Sequence, residues 1–176
     1  AEILARDGYL SASAESALRY PEEGVVEAAF SIRPGPRVRV VKIAFEGQAF
    51  FDKRALREQV LTRPGRLRPH WLDPDLLAED AEAIRALYAS AGFIDARVAT
   101  RIDFPRSAER AAVTFAVEEG ERFSLAAVRL AGNQQIASDE LERALGLATG
   151  TPYEDEAIRR AQTAAEKLYD GRGFAD

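Results

Sequence analysis

The chain repeats itself out of frame. Gly47 and Gly132 stand 85 positions apart, and at that spacing Val38, Ile43 and Phe45 fall on Phe123, Val128 and Leu130. The match continues as Phe51 on Ile136, Leu56 on Leu141, Val60 on Leu145 and Gly65 on Gly150. It resumes with four residues fewer in the later copy, where Leu87, Tyr88, Gly92 and Phe93 meet Leu168, Tyr169, Gly173 and Phe174. Upstream, Phe30, Ile32, Gly35 and Arg37 precede Phe115, Val117, Gly120 and Arg122 by the same 85 positions. A long period that recurs on apolar and glycine positions indicates repeated small domains, because each must keep its own core and turns. The chain therefore reads as a piece of a longer array. Residues 1–36 are the end of one unit, 37–121 a complete unit and 122–176 the first part of a further one.

Composition narrows what such units can do. With 47% apolar and 30% charged residues, the chain can bury a core, and no apolar run approaches the roughly 20 residues that a membrane span needs. The absence of cysteine excludes disulfides and thiolate metal sites. The net charge of −5 is spread as −3, 0 and −2 over the three units, so none offers the basic surface on which nucleic-acid affinity depends.

In the complete unit, Val41, Ile43 and Phe45 share a face and Gly47 stops the run, which predicts a first strand. Asp52 is placed to cap a short helix reaching about Val60, with Phe51 and Leu56 as a hydrophobic staple. Pro64 and Gly65 open a loop to Leu72. Asp73 before Pro74 starts a second helix whose apolar face carries Leu77, Ala81, Ile84, Leu87, Tyr88 and Ala91, and Gly92 ends it. In the later copy Thr151, Pro152 and Glu154 have the spacing of a capping box.

The clearest strand follows, over Ile94–Phe104. Ile94, Ala96, Val98, Thr100, Ile102 and Phe104 occupy one face and Asp95, Arg97, Ala99, Arg101 and Asp103 the other, as in a strand buried on one side. After a turn over Pro105–Arg110, Val113, Phe115 and Val117 alternate inward. The order β-α-α-β-β predicts an α+β fold in which each repeat is a small three-stranded sheet with two helices packed on one face.

These features together resemble the polypeptide-transport-associated (POTRA) repeat. They are the strand ending in Gly or Gly-Asn (Phe45–Gly47, Leu130–Asn133), the helix ending Leu-Tyr-x-x-x-Gly-aromatic (Leu87–Phe93, Leu168–Phe174) and the strand ending Val-Glu-Glu-Gly (Val117–Gly120). The resemblance implies a periplasmic, non-enzymatic scaffold without a cofactor, standing before the outer-membrane β-barrel of a BamA-like assembly protein. Its implied partners are unfolded outer-membrane precursors together with accessory lipoproteins or periplasmic chaperones. A two-partner secretion or TamA-like transporter is the alternative within the family. A KH-type RNA-binding module shares the β-α-α-β core, but Gly65-Arg66-Leu67-Arg68 lacks the second glycine of the GxxG clamp.

The resemblance also implies that the second strand, Ile94–Phe104, lies at a sheet edge, where unpaired N–H and C=O groups can accept an extended partner. Ordinary half-buried strand packing explains the same alternation, with Arg97 and Arg101 guarding the edge. Trp71, beside His70 and near Arg66 and Arg68, is a second partner candidate, unless it or Leu72 packs under the helix junction. His70 is the only histidine, so neither a histidine metal cluster nor a Ser-His-Asp triad can be assembled. Asp75, Glu79, Asp80 and Glu82, like Glu118, Glu119 and Glu121, read as solvated carboxylates, not as a hydrolytic pair.

Overall fold

The computed structural model describes residues 2–65 and 70–174. In chain order its elements are α1 (Glu2–Arg6), β1 (Ser13–Glu22), β2 (Val25–Arg33), β3 (Arg39–Glu46), α2 (Lys53–Gln59), α3 (Pro74–Ser90), β4 (Arg97–Asp103), β5 (Arg110–Glu118), α4 (Ser138–Leu145) and α5 (Asp155–Asp170). The mixed α+β class and the β-α-α-β-β order of the complete repeat are as the sequence predicts. Two compact units are present, Ala1–Ile84 with Val98–Glu118, and Arg85–Arg97 with Glu119–Asp176.

In the first unit β1 and β2 form an antiparallel two-stranded ribbon, and the other sheet has the order β3-β5-β4. β3 and β5 run parallel. A parallel pair needs a crossover, and α2 and α3 supply it. The central strand carries the core: Ala111, Val113, Phe115 and Val117 are buried, and the Phe115 ring stacks on Phe45 at 5.8 Å. Leu56 of α2 and Leu77 and Ile84 of α3 complete the buried apolar set with Val38, Val40, Val60 and Leu72.

β3 departs from the predicted parity. Val38 and Val40 are buried, Val41 and Ile43 are only half-buried and Phe45 is buried again. The register against β5 shifts between Val40 and Lys42. One extra residue in a strand exchanges its two faces, which is why the alternation looks imperfect in the sequence.

Both helix starts in this unit follow the predicted caps. Asp52 Oδ1 accepts from the Ala55 N–H at 2.7 Å, and Asp73 Oδ1 accepts from Asp75 and Leu76. Asp80, predicted on a solvated face, is instead buried, because it lies three residues after Leu77 and four before Ile84 on the apolar stripe of α3. Its carboxylate is satisfied by the backbone N–H groups of Leu61 and Thr62 at 2.5 and 3.0 Å.

The second unit holds α4 and α5, with Ile136, Leu141 and Ala161 buried. Where the repeat predicts a strand over Phe123–Leu130, there is only a single bridge from Ser124 to Pro152. β3 has β5 to pair with, whereas no strand is present beside 123–130 among the described residues, so no ladder forms. The capping box is also absent: Thr151 Oγ1 donates back to the Ala148 carbonyl, and the cap residue is Glu154, without a side-chain bond.

Candidate functional site

β4 is an edge strand by the sheet order, and it is shorter than the predicted Ile94–Phe104. Ile94, Asp95 and Ala96 belong to the turn after α3, where the Ala96 N–H donates to the Phe93 carbonyl. Within the strand Val98 and Ile102 are half-buried, while Arg97, Ala99, Arg101 and Asp103 are exposed. Thr100, expected to face inward, is exposed as well, and Phe104 is 47% exposed just past the strand end. An outermost strand receives cover from one neighbour only, so its inward positions are less enclosed than those of β5.

The two edges of this sheet differ. Along β3, the segment His70–Leu72 covers the start of the strand through Val40 N–H to the His70 carbonyl, Leu72 N–H to the Val38 carbonyl and a bridge from Arg39 to Trp71. Among the described residues no bridge or strand pairs with the outer side of β4. On the exposed face, Arg101 of β4 donates to Glu46 of β3 at 3.2 Å and to Asp103 at 3.3 Å. The bond to Asp103, then that to Glu46, holds the guanidinium above its ordinary pKa. Arg101 is thus engaged on the face of the sheet.

Trp71 is half-buried beneath the Arg37 guanidinium, 3.9 Å from the ring centroid, and Arg37 also lies 5.4 Å from the Tyr9 ring. Leu72 is the residue fully buried at this junction. Arg66 and Arg68 lie outside the described residues. Among the carboxylates, Glu119 accepts from the Tyr88 hydroxyl at 2.8 Å. No group of three or more metal-ligating side chains occurs among the described residues.

One arrangement was not anticipated from the sequence: an extended segment seated on a helix corner, formed twice. At the end of α1 the Gly8 carbonyl accepts from Val38 N–H at 2.8 Å, and the Asp7 carbonyl accepts from Arg37 Nε at 2.5 Å. At the end of α3 the Gly92 carbonyl accepts from Phe123 N–H at 2.8 Å, and the Ala91 carbonyl accepts from Arg122 Nε at 2.9 Å. Cationic groups are favoured at these electronegative helix ends. A Cβ on Gly8 would stand 2.9 Å from the Val38 oxygen, and one on Gly92 2.5 Å from the Phe123 oxygen, so glycine is what lets the segment approach. The near-equal spacings of Arg37 with Arg122, 85 positions, and of Gly8 with Gly92, 84 positions, were the available signal.

The POTRA family, described as surface antigen variable number repeat, matches residues 38–120 and 123–176. Among curated proteins, the chain is 30% identical over 159 residues to a Treponema pallidum (strain Nichols) protein provisionally named an outer membrane protein assembly factor, covering 87% of this chain and 19% of that one. It is 23% identical over 156 residues to the outer membrane protein assembly factor BamA of Nitratidesulfovibrio vulgaris (strain Hildenborough), with 89% and 19% covered. The chain thus spans about a fifth of the length of the curated relatives it matches. Among solved structures, the crystal structure of Haemophilus influenzae BamA POTRA3-5 aligns at a TM-score of 0.54 and 18% identity, covering 95% of this chain and 65% of that one. BamA from Haemophilus ducreyi lacking POTRA domains 1-3 aligns at 0.51 and 21% identity, with 69% and 21% covered. With both family matches falling on the duplicated pattern, the chain belongs to the POTRA family, and its repeats are of the BamA-like kind.

Proposed function

We propose that this chain is a periplasmic scaffold region of an outer-membrane protein assembly factor, and that it binds unfolded barrel precursors by strand addition to β4. Accessory lipoproteins or periplasmic chaperones are further partners, the parent protein carries an outer-membrane β-barrel, and the region performs no catalysis. Repeat boundaries at 36/37 and 121/122 belong to the same reading. The observation that carries it is the difference between the edges, with β3 partly covered by His70–Leu72 and β4 without a bridge on its outer side among the described residues. Backbone groups there offer ladder bonds to any extended segment. The exposed side chains Arg97, Ala99, Thr100, Arg101 and Asp103 mix both charges with a methyl and a hydroxyl group, too varied a set to select one sequence. Such an edge suits many clients held weakly.

Titration with extended peptides copied from outer-membrane barrel strands, followed by amide chemical shifts, tests this. Shifts are expected over residues 97–103. Ala99→Pro is expected to weaken binding about 10-fold or more by removing a ladder donor and restricting the backbone, with Thr100→Pro covering the other register. Arg97→Ala and Arg101→Ala are expected to change affinity by less than about threefold. Shifts confined to α3 or to Trp71, with β4 silent, would defeat the proposal.

A further inference from the structure

The sheet of the complete repeat has a core side and an open side, and the register of β3 on β5 assigns residues to each. Val40 pairs with Ala111 and Phe45 with Phe115, and all four are buried, so this parity is the core side. The other parity pairs Arg39 with Arg110, Lys42 with Ala112, Ala44 with Thr114 and Glu46 with Ala116, which places these residues on the open side. Residues 39 and 42 are an odd number apart and would face opposite ways in a regular strand. The register shift between Val40 and Lys42 is what turns Lys42 to the side of Arg39.

Three cations therefore gather at one end of the open side. Arg39 and Arg110 stand directly opposite each other on neighbouring strands, about 4.8 Å apart along the backbone hydrogen bonds, and Lys42 lies one step of about 6.6 Å further on. Like charges in that relation destabilise a sheet. Among the described residues none of the three forms an ion pair, and the two carboxylates of this face, Glu46 and Asp103, are both held by Arg101. Glu109 accepts from the Arg39 N–H through its carbonyl only, and its exposed carboxylate forms no ion pair either. Arg110 also carries a buried Nε with no acceptor, so its stem is packed and its guanidinium has little freedom left to lose on binding. The fold does not require these charges. At the repeat spacing Arg39 falls on Ser124, Lys42 on Ala127 and Arg110 on Val25, whereas Val38, Ile43 and Phe45 keep apolar counterparts.

We propose that Arg39, Lys42 and Arg110 form a seat for one phosphate monoester, supplied by a soluble phosphate ester or by a lipid whose headgroup ends in a monoester. Such a group brings close to two negative charges and three acceptor oxygens to three cations, where a carboxylate or a phosphodiester brings one charge and two oxygens. The seat holds a single group and is not a track, so it offers nothing to the diester backbone of a nucleic acid. It goes beyond strand addition, because it lies on the face of the sheet and reads charge, not backbone.

The test is titration of the isotope-labelled chain with inorganic phosphate at about pH 7.5, where the dianion dominates, against sodium chloride at matched ionic strength. Amide shifts are expected at residues 39–42 and 110–112, with affinity in the high-micromolar to low-millimolar range. Arg39→Gln and Arg110→Gln are each expected to weaken binding about 10-fold, the loss of one charged hydrogen bond, while Arg19→Gln on β1 leaves it unchanged. Phosphate is also expected to raise the melting temperature of the parent and not that of the Arg39→Gln, Arg110→Gln double variant. Vesicles of phosphatidylcholine with and without phosphatidic acid separate the two sources. Sedimentation with phosphatidic acid that the double variant loses assigns the group to a lipid, and phosphate binding without sedimentation assigns it to a soluble ester. Equal shifts with phosphate and with sodium chloride, or a double variant that titrates like the parent, would overturn the proposal while leaving strand addition at β4 intact.

Discussion

Replacing Phe115 with alanine is expected to destabilise the complete repeat by about 3 to 5 kcal/mol, the largest single effect in this chain. The ring is fully buried on the central strand, stacked on Phe45 and flanked by Val113 and Val117. A core packed this closely cannot collapse around the lost volume, so the cost combines transfer and cavity terms. Chemical denaturation followed by hydrogen exchange checks both size and extent. Amides over 39–118 should lose protection while those of α4 and α5 keep theirs. Equal loss in residues 138–170 would mean that the repeats fold as one cooperative body and that the proposed boundaries are wrong.

Asp80→Ala is expected to cost about 2 to 4 kcal/mol, although a solvent-facing aspartate on a helix would cost almost nothing. Its carboxylate accepts from two backbone N–H groups, and the Thr62 one is buried, so truncation leaves a donor without an acceptor. The nearby Arg57 guanidinium donates to the Thr62 carbonyl and is held below its ordinary pKa by desolvation first and by Arg63 second, with Asp80 acting in the opposite sense. Removing Asp80 therefore also leaves two cations less compensated. Asp80→Asn, which keeps one acceptor oxygen, should recover part of the loss. A thermal-melt series of the two variants against the parent decides it, and equal melting temperatures for all three would show that the carboxylate does no structural work.

Much of this molecule was legible in the sequence because its local signals agree with one another. Asp52 and Asp73 are capping residues at the positions their neighbours require, and Val113, Phe115 and Val117 alternate inward on a strand enclosed by two others. Where the reading failed, a tertiary effect overrode a local one. Val40 replaced Val41 inside because of the shift in β3, which periodicity alone cannot locate. Thr100 and Phe104 were expected inside because alternation reports which way a side chain points and not how far the cover extends. Asp80 was misjudged by residue type, although its counterpart in the later copy, Ala161, is apolar and buried and marks the position as internal. At the candidate site, the extent of β4 was overestimated by the turn residues Ile94–Ala96, while the seating of Arg37 and Arg122 on helix carbonyls needed coordinates to be seen.

The stretch between the two helices of each repeat is tied down at both ends in the same way. Gly65 N–H donates to the Val40 carbonyl and Leu72 N–H to that of Val38, just as Gly150 pairs with Leu125 and Tyr153 with Phe123. Six residues separate the anchors in the first case and two in the second. The two anchors recur while the number of residues between them differs, and lengthening a closed loop costs little, about 0.6 kcal/mol per doubling. This makes the interval between Gly65 and His70, ahead of the residues that pair with β3, a natural graft point. An epitope, a crosslinking residue or a fluorophore-bearing segment inserted there is expected to be carried without disturbing either neighbouring helix, which turns a difference in repeat length into a handle on the folded repeat.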